Sequence, residues 1–385
     1  ASLLGGEGND FFSVNGTISA SSILGGAGLD TISLGTLTQS TVLGDDGADL
    51  IVAAVSSGDS LLGGSGNDTL SIGNVFGSTL NPGVGTDLVS MTNGVASSIN
   101  FTGGEFGGDT IVANSGNDTM VFLSSVSGAS LVGGAGIDSL FFTSTVTGTT
   151  IVGDTGNADA IVFSTISSEA VFANASLDSV VGGAGNDQIT ITSANVVTSN
   201  LINAGADNDS VVVFAVSSLD SVIGGAGNDF ISFSADVTRS QISGDAGADS
   251  LLFGNTVSAS SVLGGADNDT FSFANTVAVT TVDGAAGNDS FVFAQTISGS
   301  SILGQDGNDT FSFGNAVLNS TINGGSGSEL LSFGVVLSSA LVDGSDNNDS
   351  IILSTAAAVT SSTFKGGDGD DTIAVLVAPS ASTFN

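Results

Sequence analysis

The chain is expected to be all-β, a parallel β-solenoid (β-roll) of about 19 coils with a period of about 20 residues. Three observations predict it. An acidic residue closes a glycine-rich loop about every 20 residues, an alternating apolar pattern follows each loop, and phenylalanine returns at one position in consecutive repeats.

The closing residues are Asp10, Asp30, Asp49, Asp68, Asp87, Asp109, Asp118, Asp138 and Asp159, then Asp187, Asp209, Asp229, Asp249, Asp269, Asp289, Asp309, Glu329, Asp349 and Asp371. Self-similarity at a fixed short period marks a solenoid, in which each coil buries its apolar side only against the coils above and below. The expected organisation is one elongated domain over residues 1–385, on the order of 90 Å long at the spacing of neighbouring strands. Regularity fails near residues 81–117, where Asp109 and Asp118 are close together, and near 160–186, where Asp159 and Asp187 are far apart. Irregular coils are expected there. Pro82, which cannot donate to a ladder, lies in the first of these stretches.

One repeat shows the logic of a coil. Gly264-Gly265-Ala266-Asp267-Asn268-Asp269 is followed by Thr270-Phe271-Ser272-Phe273, by Ala274-Asn275-Thr276-Val277, and by a Ser/Thr-rich stretch to Val282. Counting slots from the first glycine, Asp269 is slot six and Phe273 slot ten. Slots eight and ten are apolar around a hydroxyl residue, as in a half-buried strand. Slots fourteen and nineteen (Val277 and Val282) are apolar again, so each coil reads as loop, strand, turn, strand. Slot ten holds Phe233, Phe253, Phe273, Phe293, Phe313 and Phe333, and an internal ring column is expected. Asn255, Asn275, Gln295 and Asn315 make an amide column at slot twelve. Both columns are read as packing, not as ligand sites.

Composition excludes several functions. The 385 residues include 57 Gly and 38 acidic residues, with Arg239 and Lys365 as the two basic ones, and no His, Cys, Trp or Tyr. A formal net charge of −36 opposes binding to nucleic acid or to an anionic membrane surface. No apolar run reaches the length of a membrane span, and membrane insertion is not expected. The absence of cysteine is compatible with export and excludes disulfide staples. Ala1 to Asp10 already lie inside a repeat, which suggests a processed product or a segment of something longer.

Cations are the natural partner. Glycines permit left-handed backbone angles that bring carbonyl oxygens together, and the closing aspartate adds a carboxylate. Calcium takes six to eight hard oxygens in tolerant geometry, which two stacked loops supply jointly. Zinc, copper and iron call for His or Cys. Multiple calcium ions are therefore expected at Asp10, Asp30, Asp49, Asp68, Asp109, Asp118, Asp138, Asp159, Asp187, Asp209, Asp229, Asp249, Asp269, Asp289, Asp309, Asp349 and Asp371.

Gly5-Gly6-Glu7-Gly8-Asn9-Asp10, Gly63-Gly64-Ser65-Gly66-Asn67-Asp68, Gly182-Gly183-Ala184-Gly185-Asn186-Asp187 and Gly224-Gly225-Ala226-Gly227-Asn228-Asp229 share a G-G-x-G-x-D pattern, as do residues 25–30 and 133–138. This pattern resembles the repeats-in-toxin (RTX) calcium-binding β-roll family over nearly the whole chain. The resemblance implies a right-handed parallel β-roll with calcium between successive loops, folding once calcium is met outside the cell.

The chain also departs from that family, which repeats its nonapeptide back to back and carries calcium loops on both edges of the roll. Here the opposite turn, Asn255-Thr256-Val257-Ser258 and its equivalents, lacks glycine and carboxylate. One calcium ladder along one edge is expected, with Asp109 and Asp118 locally restoring the nonapeptide. The loops at Glu329, Asp159 and Asp87 are degraded, and weak or empty sites are expected there. Asp267, Asp306, Asp346 and Asp368 add carboxylates to other loops. Asn67-Asp68-Thr69, Asn117-Asp118-Thr119 and Asn268-Asp269-Thr270 fit a glycosylation pattern only because a loop ends in Asn-Asp before Thr, and Asn100-Phe101-Thr102 is the better candidate. Arg239 is expected in a surface salt link with Asp236 or Asp245, and Lys365 in solvent.

Three function classes compete. An enzyme is disfavoured, because His, Cys and Tyr are absent and two basic residues cannot line a polysaccharide-cleaving cleft. An ice- or surface-binding adhesin module needs regular outer ranks, but slot seven reads Thr270, Ser290, Thr310, Leu330 and Ser350. The leading reading is structural: a calcium-stiffened extracellular solenoid, secreted or at the cell surface, serving a filament, surface layer or adhesin stalk, with an ice- or surface-binding adhesin module, or the repeat region of a larger secreted RTX protein, as the alternative. Leu3 and Phe384 both fall at slot nineteen in chain ends that remain in repeat phase, so head-to-tail self-association is expected.

Overall fold

The computed structural model describes the chain except residues 92–97, 102–105, 114–116, 124–125, 135, 143–145, 148, 156–158, 165–178, 193–196, 335, 355–357 and 377–379. The irregular stretch expected near 160–186 lies largely outside the described residues. The chain is a parallel β-solenoid whose successive coils pair in register about 20 residues apart, and every named element is a strand. Its contacts divide into two units, Ala1–Leu201 and Ile202–Asn385.

In the first unit two parallel ladders stack back to back. The front ladder runs through Ser2–Glu7, Ser22–Ala27, Thr41–Asp46, Ser60–Ser65 and the second half of Thr69–Val84. The back ladder runs through Phe11–Ser19, Thr31–Thr38, Leu50–Ser57, the first half of Thr69–Val84 and Leu88–Met91. The front register passes over the first-glycine slot: Leu62 pairs with Asn81 and Gly64 with Gly83, while Gly63 and Pro82 face each other unpaired. Pro82 thus sits inside a strand, at the slot where Gly133 and Gly366 donate their N–H to the next coil at 3.0 and 3.1 Å, a rung that proline cannot make.

Beyond Met91 the sequence changes phase against the fold. Ser98–Phe101 continues the front ladder and is followed there by Thr119–Phe122 and Ser139–Phe142. Thr110–Val112 and Ser130–Val132 continue the back ladder. Residues that follow a closing aspartate thus lie on the back up to Thr110 and on the front from Thr119. The short step from Asp109 to Asp118 is about half a coil, so both loops belong to one coil, at opposite edges. The loop count is therefore not the coil count. The core ignores the change: Leu61, Leu80, Phe101, Phe122 and Phe142 form one buried front column, with the last three rings stacked at 4.7 and 4.8 Å.

A further ladder of two-residue strands pairs Phe106–Gly107, Val126–Ser127 and Val146–Thr147 in the first unit, and in the second unit one runs through Val237–Thr238, Val257–Ser258, Val277–Ala278 and Ile297–Ser298. The coils of the second unit bury the four expected slots: Phe271, Phe273, Val277 and Val282 are each no more than 1 % exposed. The slot-ten rings from Phe233 to Phe333 stack at 4.6 to 5.6 Å. A second column, Phe271, Phe291 and Phe311, stacks at 4.6 Å. In-register parallel pairing puts like on like, so a repeated phenylalanine must stack on itself. The amide column forms too: Asn275 donates to Asn255 and Asn315 to Gln295, each at 2.9 Å.

The two basic residues behave otherwise than the sequence suggests. Lys365 pairs with Asp343 of the preceding coil at 3.0 Å, the one ion pair among the described residues. Arg239 makes none there and sits in the turn with a left-handed backbone, φ 53°.

Candidate metal centre

Each loop leaves a strand at its first glycine and returns at the closing aspartate. Between them the backbone takes left-handed angles, as at Gly225 (φ 116°) and Gly227 (φ 132°). A Cβ added at Gly225 would also strike the Gly205 carbonyl of the preceding coil, whereas in other coils Asp245, Ala285 and Gln305 hold the same slot with left-handed angles of their own.

The closing carboxylates form columns. In the first unit the N–H of Asp10 donates to Oδ1 of Asp30 at 2.7 Å, Asp30 to Asp49 and Asp49 to Asp68 at 2.8 Å, Asp68 to Asp87 at 2.7 Å and Asp87 to Asp109 at 2.9 Å. On the opposite edge Asp118 donates to Asp138 at 2.8 Å, and Asp138 to Asp159 and Asp159 to Asp187 at 2.7 Å. The single edge expected from sequence is therefore corrected for this unit: one column runs from Asp10 to Asp109, the other from Asp118 to Asp187. In the second unit one column links Asp209, Asp229, Asp249, Asp269, Asp289 and Asp309 in the same way, and another link joins Asp349 to Asp371. From Asp30 to Asp349 none of these aspartates is more than 3 % exposed.

The second oxygen is the informative one. Oδ2 of Asp10, Asp30, Asp49, Asp68, Asp87, Asp109, Asp229, Asp249, Asp269, Asp289, Asp309 and Asp349 is buried and accepts no hydrogen bond from the chain. In the loops that open with a described glycine, it faces the bare α-carbon of that glycine, and so does a carbonyl of the next coil. A Cβ added at Gly264 would meet Asp269 Oδ2 and the Gly284 carbonyl, and one at Gly284 would meet Asp289 Oδ2 and the Gly304 carbonyl. A buried anionic oxygen without a partner costs far more than a lost neutral hydrogen bond. Among the described residues no group of three acidic side chains gathers around one point. A cation here would be held by carboxylate oxygen and backbone carbonyls together, a donor set that fits calcium.

Burial and like charge show in the acidities. Burial is the largest cause of the upward shift in each case: it pushes Asp269 up to about 8 and Asp249 up to about 7, while the ladder N–H pulls down and neighbouring aspartates push up further. Asp68, Asp109, Asp289 and Asp309 rise to about 6 for the same leading reason.

The opposite turn supplies the control. Asp59 also sits in a column at a turn, 4 % exposed. Its Oδ1 accepts the Ser40 N–H at 2.7 Å and its Oδ2 accepts the Ser56 hydroxyl at 2.8 Å and the Ser57 N–H at 2.7 Å. The chain satisfies this carboxylate and leaves the loop carboxylates open. In the second unit Asp220 is held in the same way by the Ser217 hydroxyl at 2.6 Å, and hydroxyls follow it in that column: the N–H of Ser240 donates to Ser260 Oγ at 3.2 Å and that of Ser300 to Ser320 Oγ at 3.1 Å. Serine thus makes the same rung without a second oxygen.

Asp87, whose loop Asn81-Pro82-Gly83-Val84-Gly85-Thr86-Asp87 keeps little of the pattern, takes the Asp68 N–H and presents a buried Oδ2 as its neighbours do. The surviving signal was Gly83 and Gly85, both left-handed (φ 113° and 154°). Glu329 departs in the other direction: both of its carboxylate oxygens are buried and accept nothing.

The model of the RTX calcium-binding nonapeptide repeat matches residues 54–71, 103–121, 168–190, 217–236 and 361–374. No curated protein matches the chain. No helix among the described residues is long and apolar enough to cross a membrane. The chain carries RTX calcium-binding nonapeptide repeats, and repeats of this kind bind calcium ions in multiple copies.

Proposed function

We propose that this solenoid is a structural element stiffened by calcium outside the cell, a subunit of a filament, surface layer or adhesin stalk, secreted or at the cell surface. Its calcium ligands are the loop aspartates from Asp10 to Asp371, Asp87 included, together with first-glycine carbonyls of neighbouring coils. The observation that carries this reading is the column of buried, unsatisfied Oδ2 atoms against Asp59, whose carboxylate the chain satisfies itself. Without cations, like charges stacked one coil apart oppose folding, so calcium binding and folding are one equilibrium.

Self-association is the finer part of the reading. Successive coils pair in register through parallel ladders, as Leu3 with Ile23, so a coil of a second copy stacked in the same register would extend both ladders, and a head-to-tail contact that does not close builds a fibre.

Circular dichroism of the 385-residue chain, first in chelator and then in millimolar calcium, tests the reading. A coil-like spectrum that turns to β on adding calcium is expected, and full β signal after prolonged chelation overturns it. Electron microscopy of the calcium form tests assembly: fibres are expected, and monomers at high concentration overturn it.

A further inference from the structure

We propose that Glu329 closes its own loop to calcium and so breaks the ion column of the second unit. This rests on the reading of the loop aspartates as calcium ligands. Glu329 occupies slot six of Gly324-Gly325-Ser326-Gly327-Ser328-Glu329, and is 2 % exposed. It keeps the rung above, donating its N–H to Asp349 Oδ1 at 2.9 Å. It does not make the rung below. Where Oδ1 of Asp309 takes the Asp289 N–H at 2.7 Å, neither carboxylate oxygen of Glu329 accepts a hydrogen bond.

The extra methylene carries the carboxylate into the hollow of the loop. Its Oε2 lies 3.0 Å from where a Cβ on Gly324 would stand, and its Oε1 2.8 Å from where one on Gly327 would stand. The carboxylate therefore spans the turn from slot one to slot four. In the preceding loop the aspartate touches slot one only: the three atoms nearest a Cβ at Gly304 include Asp309 Oδ2, whereas those nearest Gly307 are backbone of the coil before. The surrounding rungs register the difference. The slot-four N–H bonds of Gly287 and Gly307 are 2.7 and 2.8 Å long, and that of Gly327 is 3.4 Å. A group that fills the hollow from within removes the space in which glycine carbonyls and a carboxylate converge on an ion. The ions of the second unit then form two strings, one ending at Asp309 and one beginning at Asp349.

The test is calcium stoichiometry on the full chain, measured by equilibrium dialysis with metal analysis. Glu329→Asp is expected to bind at least one calcium ion more than the parent chain. Glu329→Ala, which empties the hollow without adding a ligand, is expected to bind no fewer. An unchanged count in a folded Glu329→Asp variant overturns the proposal, and so does a lower count in Glu329→Ala, since that marks Glu329 as a ligand. A parent chain that takes up no calcium at all overturns the underlying reading of the loops instead.

Discussion

The backbone N–H of Asp249 donates to Oδ1 of Asp269 at 2.8 Å, while Oδ2 of Asp269 lies buried beside Gly264 with no donor. One carboxylate thus does two separable jobs: it closes a rung of the coil stack and presents an unsatisfied anionic oxygen. Replacing it separates them.

Asp269→Ser keeps a hydroxyl for the rung, as Ser260 and Ser320 do in the opposite turn, and removes the open oxygen. In calcium the variant is expected to lose about 1–3 kcal/mol and bound metal. In chelator it is expected to gain stability, because a carboxylate whose burial pushes it up to about 8 has gone. Thermal melts in both conditions check the sign reversal.

Hydrogen exchange of the same variant in calcium checks locality. Coils of a solenoid couple to their nearest neighbours, so faster exchange is expected at Leu251–Phe253, Phe271–Phe273 and Phe291–Phe293, with little change near Phe364.

The raised acidities fix the pH dependence of the metal-free fold. Asp249, Asp269 and Glu329 hold protons more tightly folded than unfolded, so folding takes up protons and stability falls as pH rises. The loss begins near the ordinary carboxylate range and ends around pH 8 to 9, where the highest folded groups ionise. Urea melts in chelator at pH 5 and pH 9 are expected to show the greater stability at pH 5, where most unfolded carboxylates are ionised but the highest folded ones still hold their protons.

Val279 has a left-handed backbone, φ 53°, and is 70 % exposed, at the slot that Gly299 fills one coil later with φ 62°. A β-branched residue pays for that angle. Val279→Gly is expected to stabilise the calcium form by about 1 kcal/mol, read as a higher thermal midpoint.

Phe293 stacks between Phe273 at 4.9 Å and Phe313 at 5.4 Å and is 1 % exposed. Phe293→Ala opens a cavity between three layers and is expected to cost about 3–5 kcal/mol in a calcium-saturated melt.

The period, the strand pattern and the ring column were legible because parallel in-register stacking writes the same residue type into every coil. The edge change was not, although the short step from Asp109 to Asp118 carried it: slots were counted from the loop, and a half-coil shift leaves every slot name intact while moving it to the other face. Asp87 was legible as a closing residue, but Pro82 in its first slot made its loop read as degraded. Asp59 is the contrasting case. It closes no glycine-rich loop, and the Ser40, Ser56 and Ser57 donors satisfy its carboxylate from within the chain.

A crystal structure of the chain grown in saturating calcium tests the central claim most directly. Ion density about 2.3–2.6 Å from Oδ2 is expected, along one edge of the first unit from Asp10 to Asp109 and along the other from Asp118, with none beside Asp59. Loops that stay free of ions while the coils hold their register would contradict the account.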